Sequence, residues 1–305
     1  MSMSDFPIVR RRHPWRWVAT AILVLLAVML AAKVASNPVF VFQAVADYLF
    51  EPRILSGVVV TLYVTCGSMA IGLVLGVVLA VMRVSDNPVI NRAAQLFVWF
   101  FRGTPVLVQL IFWFNIGIIF PSITLSLPGG EVLFHLSTNS IMTPAVTALL
   151  GLGLNEGAYM SEIVRAGILS VDNGQREAAK ALGLPPWKVL SRIVLPQALR
   201  VIVPPAGNQF VSLLKTSSLV SVIAAGDLLT QATRIYNENF HILELLVVAS
   251  LWYLVLTTLA NIGQYYIERR YSRGFVQSGR MTAFSRLRGF RGSSAGALPK
   301  GDRPT

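Results

Sequence analysis

Asn155, Glu156, Tyr159, Ser161 and Glu162 crowd polar side chains into a run that is otherwise mostly apolar or small. Polar groups at membrane depth are costly and default to functional roles. Glu156 is the sharpest case. A carboxylate there could meet the ammonium or cationic side chain of a ligand. It could equally pair with Arg102 or cap a broken helix. Buried ion pairs and ligand sites perturb carboxylates alike, so residue type leaves both readings open. Asn155, Asn208 and Gln209 carry amides able to hydrogen-bond a ligand carboxylate or to bridge helices, bridging being the stronger reading for Gln209. Glu162 and Arg165, three apart and therefore neighbours on a helix, read as a structural pair.

No residue set for covalent chemistry accompanies them. None of Lys33, Lys180, Lys188, Lys215 or Lys300 follows a glycine, so the phosphate-cradling loop of an ATPase is missing from the sequence. His13, His135 and His241 are scattered and make no metal-binding spacing. No Gly-x-Ser-x-Gly elbow occurs. The expectation is a chain with no catalytic residues, no metal and no cofactor of its own.

The elements that must position the polar groups are membrane spans. Residues are 54% hydrophobic and 13% charged, about half the charge of a soluble globule. The formal charge is +12, but its placement argues against a nucleic-acid partner. Of 26 Lys and Arg, 4 lie in residues 1–16, 2 in 83–92, 6 in 165–200 and 9 in 269–305. These clusters alternate with apolar runs in the positive-inside pattern. The reading is an all-α polytopic membrane protein with six spans and both termini cytoplasmic.

The expected spans are 15–35, 57–82, 106–119, 143–171, 196–214 and 243–267, the first an uncleaved helix rather than a signal peptide. Residues 1–14 form a basic N-terminus, 36–55 an outer interfacial segment, and 269–305 a basic, disordered tail. Arg102-Gly103-Thr104-Pro105 should break the third apolar run, and Pro204-Pro205 should kink the fifth span. Pro121 to Met142, free of Lys and Arg, should be an outer loop. Gly72 with Gly76, and Gly153 with Gly157, are spaced for close helix contact and are assigned to subunit packing. Cys66, the single cysteine, should pack as a small hydrophobe.

The most heavily punctuated stretch is 172–196. Asp172 should cap a helix over 175–182, with Gln175 completing a capping box. Gly183 should end it in the left-handed conformation, and Pro185-Pro186 should open a second helix. Ala178 and Ala179 offer a thin surface that another protein could approach. Geometry alone describes a capped loop between spans. The full pattern is more specific: Glu177-Ala178-Ala179, three residues, Gly183, nine residues, Ile193, one residue, then Leu195-Pro196. It resembles the EAA loop of ABC-transporter permease subunits. FRGTPVLVQL (101–110) and LNEGAYMSEIVRAGI (154–168) resemble further fingerprints of the polar amino-acid permeases in that group.

The resemblance covers residues 56 to 270 and implies a type I ABC importer transmembrane fold, a five-helix core plus one added N-terminal helix. It implies a permease domain over 56–268 with the coupling loop at 172–196. Glu177, Ala178, Ala179, Ala181, Gly183, Leu184, Ile193, Leu195 and Pro196 would then form the ATPase-coupling surface. Asn155, Glu156, Tyr159, Asn208 and Gln209 would line the path of an amino-acid substrate. The implied partners are two copies of a separate ABC ATPase subunit holding ATP and Mg, a second permease copy or homologue, an extracytoplasmic solute-binding protein and membrane lipid. Pro185 stands where that family often has Ser or Thr. The alternative, an ion-gradient-driven secondary transporter, would require internal repeats with matching broken helices, and none is evident.

Overall fold

Two long helices, Pro52–Arg83 and Pro144–Leu169, pack along each other at the centre of the molecule. The structure is a computed structural model describing residues 14–36, 40–126 and 132–271. The expected basic N-terminus (but for Pro14) and the tail beyond Tyr271 lie outside the described residues. Along the chain, α1 (Pro14–Ala35) and α2 (Phe42–Leu49) precede α3 (Pro52–Arg83), α4 (Pro88–Gly103) and α5 (Val106–Phe114). A 3-10 turn (Ile116–Ile118), strands β1 (Ser122–Ser126) and β2 (Val132–Ser137), and α6 (Thr138–Ile141) lead into α7 (Pro144–Leu169). Then come α8 (Asn173–Ala181), α9 (Pro186–Val189), a π-helical turn (Leu190–Val194) and α10 (Leu195–Thr216). A 3-10 stretch (Ser217–Ile223), α11 (Leu228–Asn239) and α12 (Ile242–Tyr271) follow.

The α3–α7 contact explains the paired glycines. A Cβ on Gly72 would stand 2.6 Å from Glu156 Cγ, and one on Gly76 would stand 2.5 Å from Met160 Cβ. From the other side, Gly153 meets Ile71 at 2.8 Å and Gly157 meets Leu75 at 2.6 Å. Lipid supplies no hydrophobic drive between helices, so close backbone approach and dispersion must hold them. All four glycines are therefore used within one chain, which corrects their assignment to subunit packing. Cys66 is exposed rather than packed, because the helical period places it off the stripe of Gly72 and Gly76.

By length and apolarity, α3, the continuous helical run Pro186–Ile223, and α12 can each cross a membrane. α4 and α5 make a fourth crossing if taken together, bent by 102°. α7 has 26 residues, about 39 Å at 1.5 Å per residue, but Glu156, Glu162 and Arg165 lower its apolarity. α1 is apolar from Trp15 to Leu30, and all of those residues are exposed. The fifth expected span is longer at both ends than expected. Pro186 sits in the first turn, where a missing N–H costs nothing, and the helix continues through Pro204 and Pro205.

The expected outer loop contains an antiparallel hairpin, with Ser122 opposite Ser137 and Thr124 opposite His135. Its two short alternating strands follow an apolar helix directly, so the change of period is hard to see in sequence. α11 lays Leu228, Ala232 and Ile235 against a cluster containing Ile54 of α3, Leu214 of α10 and Leu245 and Val248 of α12. A second cluster joins Val164, Ala179, Val189 and Ala198, tying α7 to the segment that follows it.

Candidate functional site

The site begins at a break. Pro105 has no N–H to donate to the carbonyl four residues back, that of Phe101, so α4 ends at Gly103 and the chain turns into α5. A freed carbonyl inside a membrane protein must find another donor. Asn155 Nδ2 of α7 donates to Phe101 O at 2.7 Å, and Gln109 Nε2 of α5 donates to it at 3.0 Å. Gln109 Nε2 also lies 3.1 Å from Thr104 O and 2.7 Å from Thr104 Oγ1. Its Oε1 accepts from Asn155 Nδ2 at 3.3 Å. Asn155 thus serves the break rather than presenting a free donor. Gln109 was not among the residues expected from sequence to form the site. The signal was its place one turn after Pro105, where an amide can reach back across the gap.

Beside the break lies a cavity of about 230 Å³, lined by Asn155, Glu156, Tyr159, Gln209, Ser212 and Thr216 among others. Four of the five expected pathway residues meet there. Asn208 does not: its Oδ1 accepts from Gln264 Nε2 of α12 at 3.0 Å, so it bridges helices. The helical period sets Asn208 and Gln209 about 100° apart on α10, which one-residue adjacency in sequence conceals.

Glu156 is 2% exposed. Its Oε2 accepts from Gln209 Nε2 at 3.2 Å, and its Oε1 has no hydrogen-bond partner among the described residues. The reading that paired it with Arg102 is corrected. Arg102 instead reaches Glu162 at 3.2 Å and lays its guanidinium 5.1 Å from the centre of the Tyr159 ring. Glu162 also holds Arg83 at 2.7 Å and Arg165 at 3.1 Å. The expected i,i+3 pair is therefore one arm of a hub joining α3, α4 and α7. Among the described residues no group of His, Cys, Asp or Glu is arranged to hold a metal ion.

On the far side of this hub the chain forms a knob. Asp172 caps α8, its Oδ1 accepting from Gly174 N–H at 2.7 Å; Gln175 N–H donates to the Asp172 main-chain oxygen instead of completing a capping box. Gly183 has φ +72°, the left-handed value that disfavours a Cβ. Leu184 N–H donates to Ala179 O at 3.1 Å and Gly183 N–H to Lys180 O at 2.9 Å, the paired bonds of a Schellman end. An Arg176 guanidinium N–H donates to Ile168 O and ties α8 back to α7.

Glu177, Ala178, Ala181 and Gly183 are exposed on the knob, whereas Leu184 and Ile193 are half-buried. Ala179 is buried against the Val164–Val189 cluster, so it seats the helix instead of meeting a partner. The helical period turns it away from Ala178. Two residues outside the expected set dominate the exposed apolar face: Leu182 at 81% and Trp187 at 63% exposed. Large apolar residues flanking a left-handed glycine were the available signal.

Residues 72–273 match the family described as "binding-protein-dependent transport system inner membrane component". The arginine transport system permease protein ArgU of Corynebacterium glutamicum is 42% identical over 268 residues, covering 88% of this chain and 83% of that protein. The glutamine transport system permease protein GlnP of Escherichia coli K12 is 32% identical over 220 residues, covering 72% and 93%. Among solved structures, one described as an amino acid ABC transporter with histidines superposes with a TM-score of 0.64 at 32% identity, covering 75% of this chain and 98% of that one. The chain therefore belongs to the binding-protein-dependent transport system inner membrane component family, as a type I permease subunit of an amino-acid ABC importer and not an enzyme.

Proposed function

We propose that this subunit passes a cationic amino acid through the cavity at Glu156, driven by separate ATPase subunits that dock on the knob at 172–196. The observation that carries the substrate class is Glu156 itself. A buried carboxylate without a counter-charge is costly, and an incoming ammonium or guanidinium supplies the missing partner. Arg102 cannot do so while it serves Glu162. The relative named for arginine transport supports the same class.

In this reading the chain works as one of two facing permeases, a second copy or a homologue, with residues 56–268 as the permease domain. Six spans place both termini and the knob on the cytoplasmic side. Two ATPase subunits hold ATP and Mg, and an extracytoplasmic solute-binding protein delivers the amino acid. Closure of the ATPases draws the paired knobs together and rocks the spans between two packed arrangements, a discrete switch rather than a deformation. The exposed Leu182 and Trp187 supply the apolar anchors for that contact.

The test is uptake of labelled arginine by proteoliposomes of the assembled transporter with ATP inside. Glu156→Gln keeps the shape and the Gln209 neighbour but removes the charge. Arginine uptake should fall by about tenfold or more, since a hydrogen bond to a charged group is worth about 1.5–3 kcal/mol. Unaltered arginine uptake would remove Glu156 from the pathway.

A further inference from the structure

A groove of about 520 Å³ opens between the start of α10 and the end of α12, apart from the translocation cavity. Its polar rim is Arg200, Arg270, Ser191 and Tyr271, and its floor includes Leu195 and Leu199, one turn apart on α10. Leu195 and Pro196, which the family resemblance gave to the ATPase contact, both line this groove. Both arginines are exposed, and neither forms an ion pair with a described residue. The nearby carboxylate of Glu268 accepts from Gln264 Nε2 at 2.7 Å.

The apolar surface continues from the groove along α12, where Ile267 lies one turn before Arg270 and Tyr271 and is exposed. Two cations and two hydroxyls therefore sit at the mouth of an apolar strip that runs into the span. Free phosphate could use the rim but has no use for the floor. The segment that follows in sequence, 272–305, holds seven Lys and Arg against one Asp, so its charge suits it poorly to neutralise the rim.

We propose that this groove binds the phosphate headgroup of an anionic phospholipid of the cytoplasmic leaflet, with an acyl chain along Leu195, Leu199 and Ile267. Basic pockets between helix ends at the cytoplasmic interface suit such headgroups. The proposal rests on the orientation given above, though not on the substrate assigned to Glu156. A bound lipid here would brace the α10 base, which carries the knob, against α12.

The experiment is native mass spectrometry of the intact importer in mild detergent doped with equal phosphatidylglycerol and phosphatidylcholine. Wild type should retain phosphatidylglycerol selectively. Arg200→Gln with Arg270→Gln should lower that preference about tenfold, each headgroup contact contributing a fraction of the total. Arg200→Lys with Arg270→Lys should keep most of it, and Arg16→Gln with Arg92→Gln, which removes equal charge elsewhere, should leave it unchanged. Should the double Gln variant fail to assemble, either single Gln variant should show about a threefold loss. Unchanged selectivity in the Gln variants, equal loss in the Arg16/Arg92 control, or displacement by inorganic phosphate at the same concentration would each overturn the proposal. Uptake of arginine is read separately, so failure here leaves the substrate assignment standing.

Discussion

Removing the two amides that serve the α4–α5 break should cost more together than apart. Gln109→Leu keeps roughly the same volume but strips Thr104 O of its side-chain donor, leaving Phe101 O to Asn155 at 2.7 Å. Thr104 is half-buried, so leaving its carbonyl without a partner costs about 1 kcal/mol, the low end of the range for an unsatisfied group. Asn155→Ala leaves Phe101 O with Gln109 at 3.0 Å, a loss of about 1 kcal/mol. In the double variant Phe101 O has neither donor, and Pro105 cannot supply one. The combined loss should exceed the sum of the single losses by about 1 kcal/mol or more, a coupling typical of a shared network. The assay is unfolding of the purified subunit complex in mixed micelles by titrated denaturing detergent, read as a double-mutant cycle. Thr104→Val, which removes only a hydroxyl, should have the smallest effect. Strict additivity, or two single variants as stable as wild type, would refute the idea that these amides complete the broken backbone.

Gly72→Val should destabilise the α3–α7 pair by about 1–3 kcal/mol, the usual cost of overpacking, because its Cβ would stand 2.6 Å from Glu156 Cγ. Lower yield of folded protein after solubilisation is the check, and a yield equal to wild type would contradict the close packing. Leu182→Ser with Trp187→Ser should cut co-purification of the ATPase subunit about tenfold or more, as loss of a buried apolar anchor does, while leaving the unfolding midpoint unchanged. A shifted midpoint would instead mean that these exposed residues support the fold.

Much of this architecture is legible in sequence because its causes are local. Pro105 announces the break, Gly183 the left-handed turn and Asp172 a helix cap, each through a backbone requirement that few residue types meet. What stayed hidden depends on which face of a helix meets which neighbour. Gly72 and Gly76 announced a close contact but not its partner, which proved to be α7 of the same chain. Ala178 and Ala179 look interchangeable in the motif, yet one is exposed and the other buried. Asn208 and Gln209 diverge likewise, one to Gln264 and one to Glu156. The Glu162 hub draws its arginines from three separate helices, a convergence that spacing along the chain cannot encode beyond the Arg165 arm.

The proposed coupling of ATP hydrolysis to the spans through the knob can be put to a direct test. The most direct measurement uses proteoliposomes of the assembled importer carrying Gly183→Arg, with arginine uptake and ATP hydrolysis followed in one preparation. Gly183 sits at φ +72° on the exposed end of α8, so the change strains that turn by about 1–2 kcal/mol and would block the proposed ATPase contact, away from the cavity. The expected outcome is intact membrane assembly, loss of uptake, and hydrolysis that no longer responds to the solute-binding protein. Normal ATP-driven uptake by this variant would contradict it.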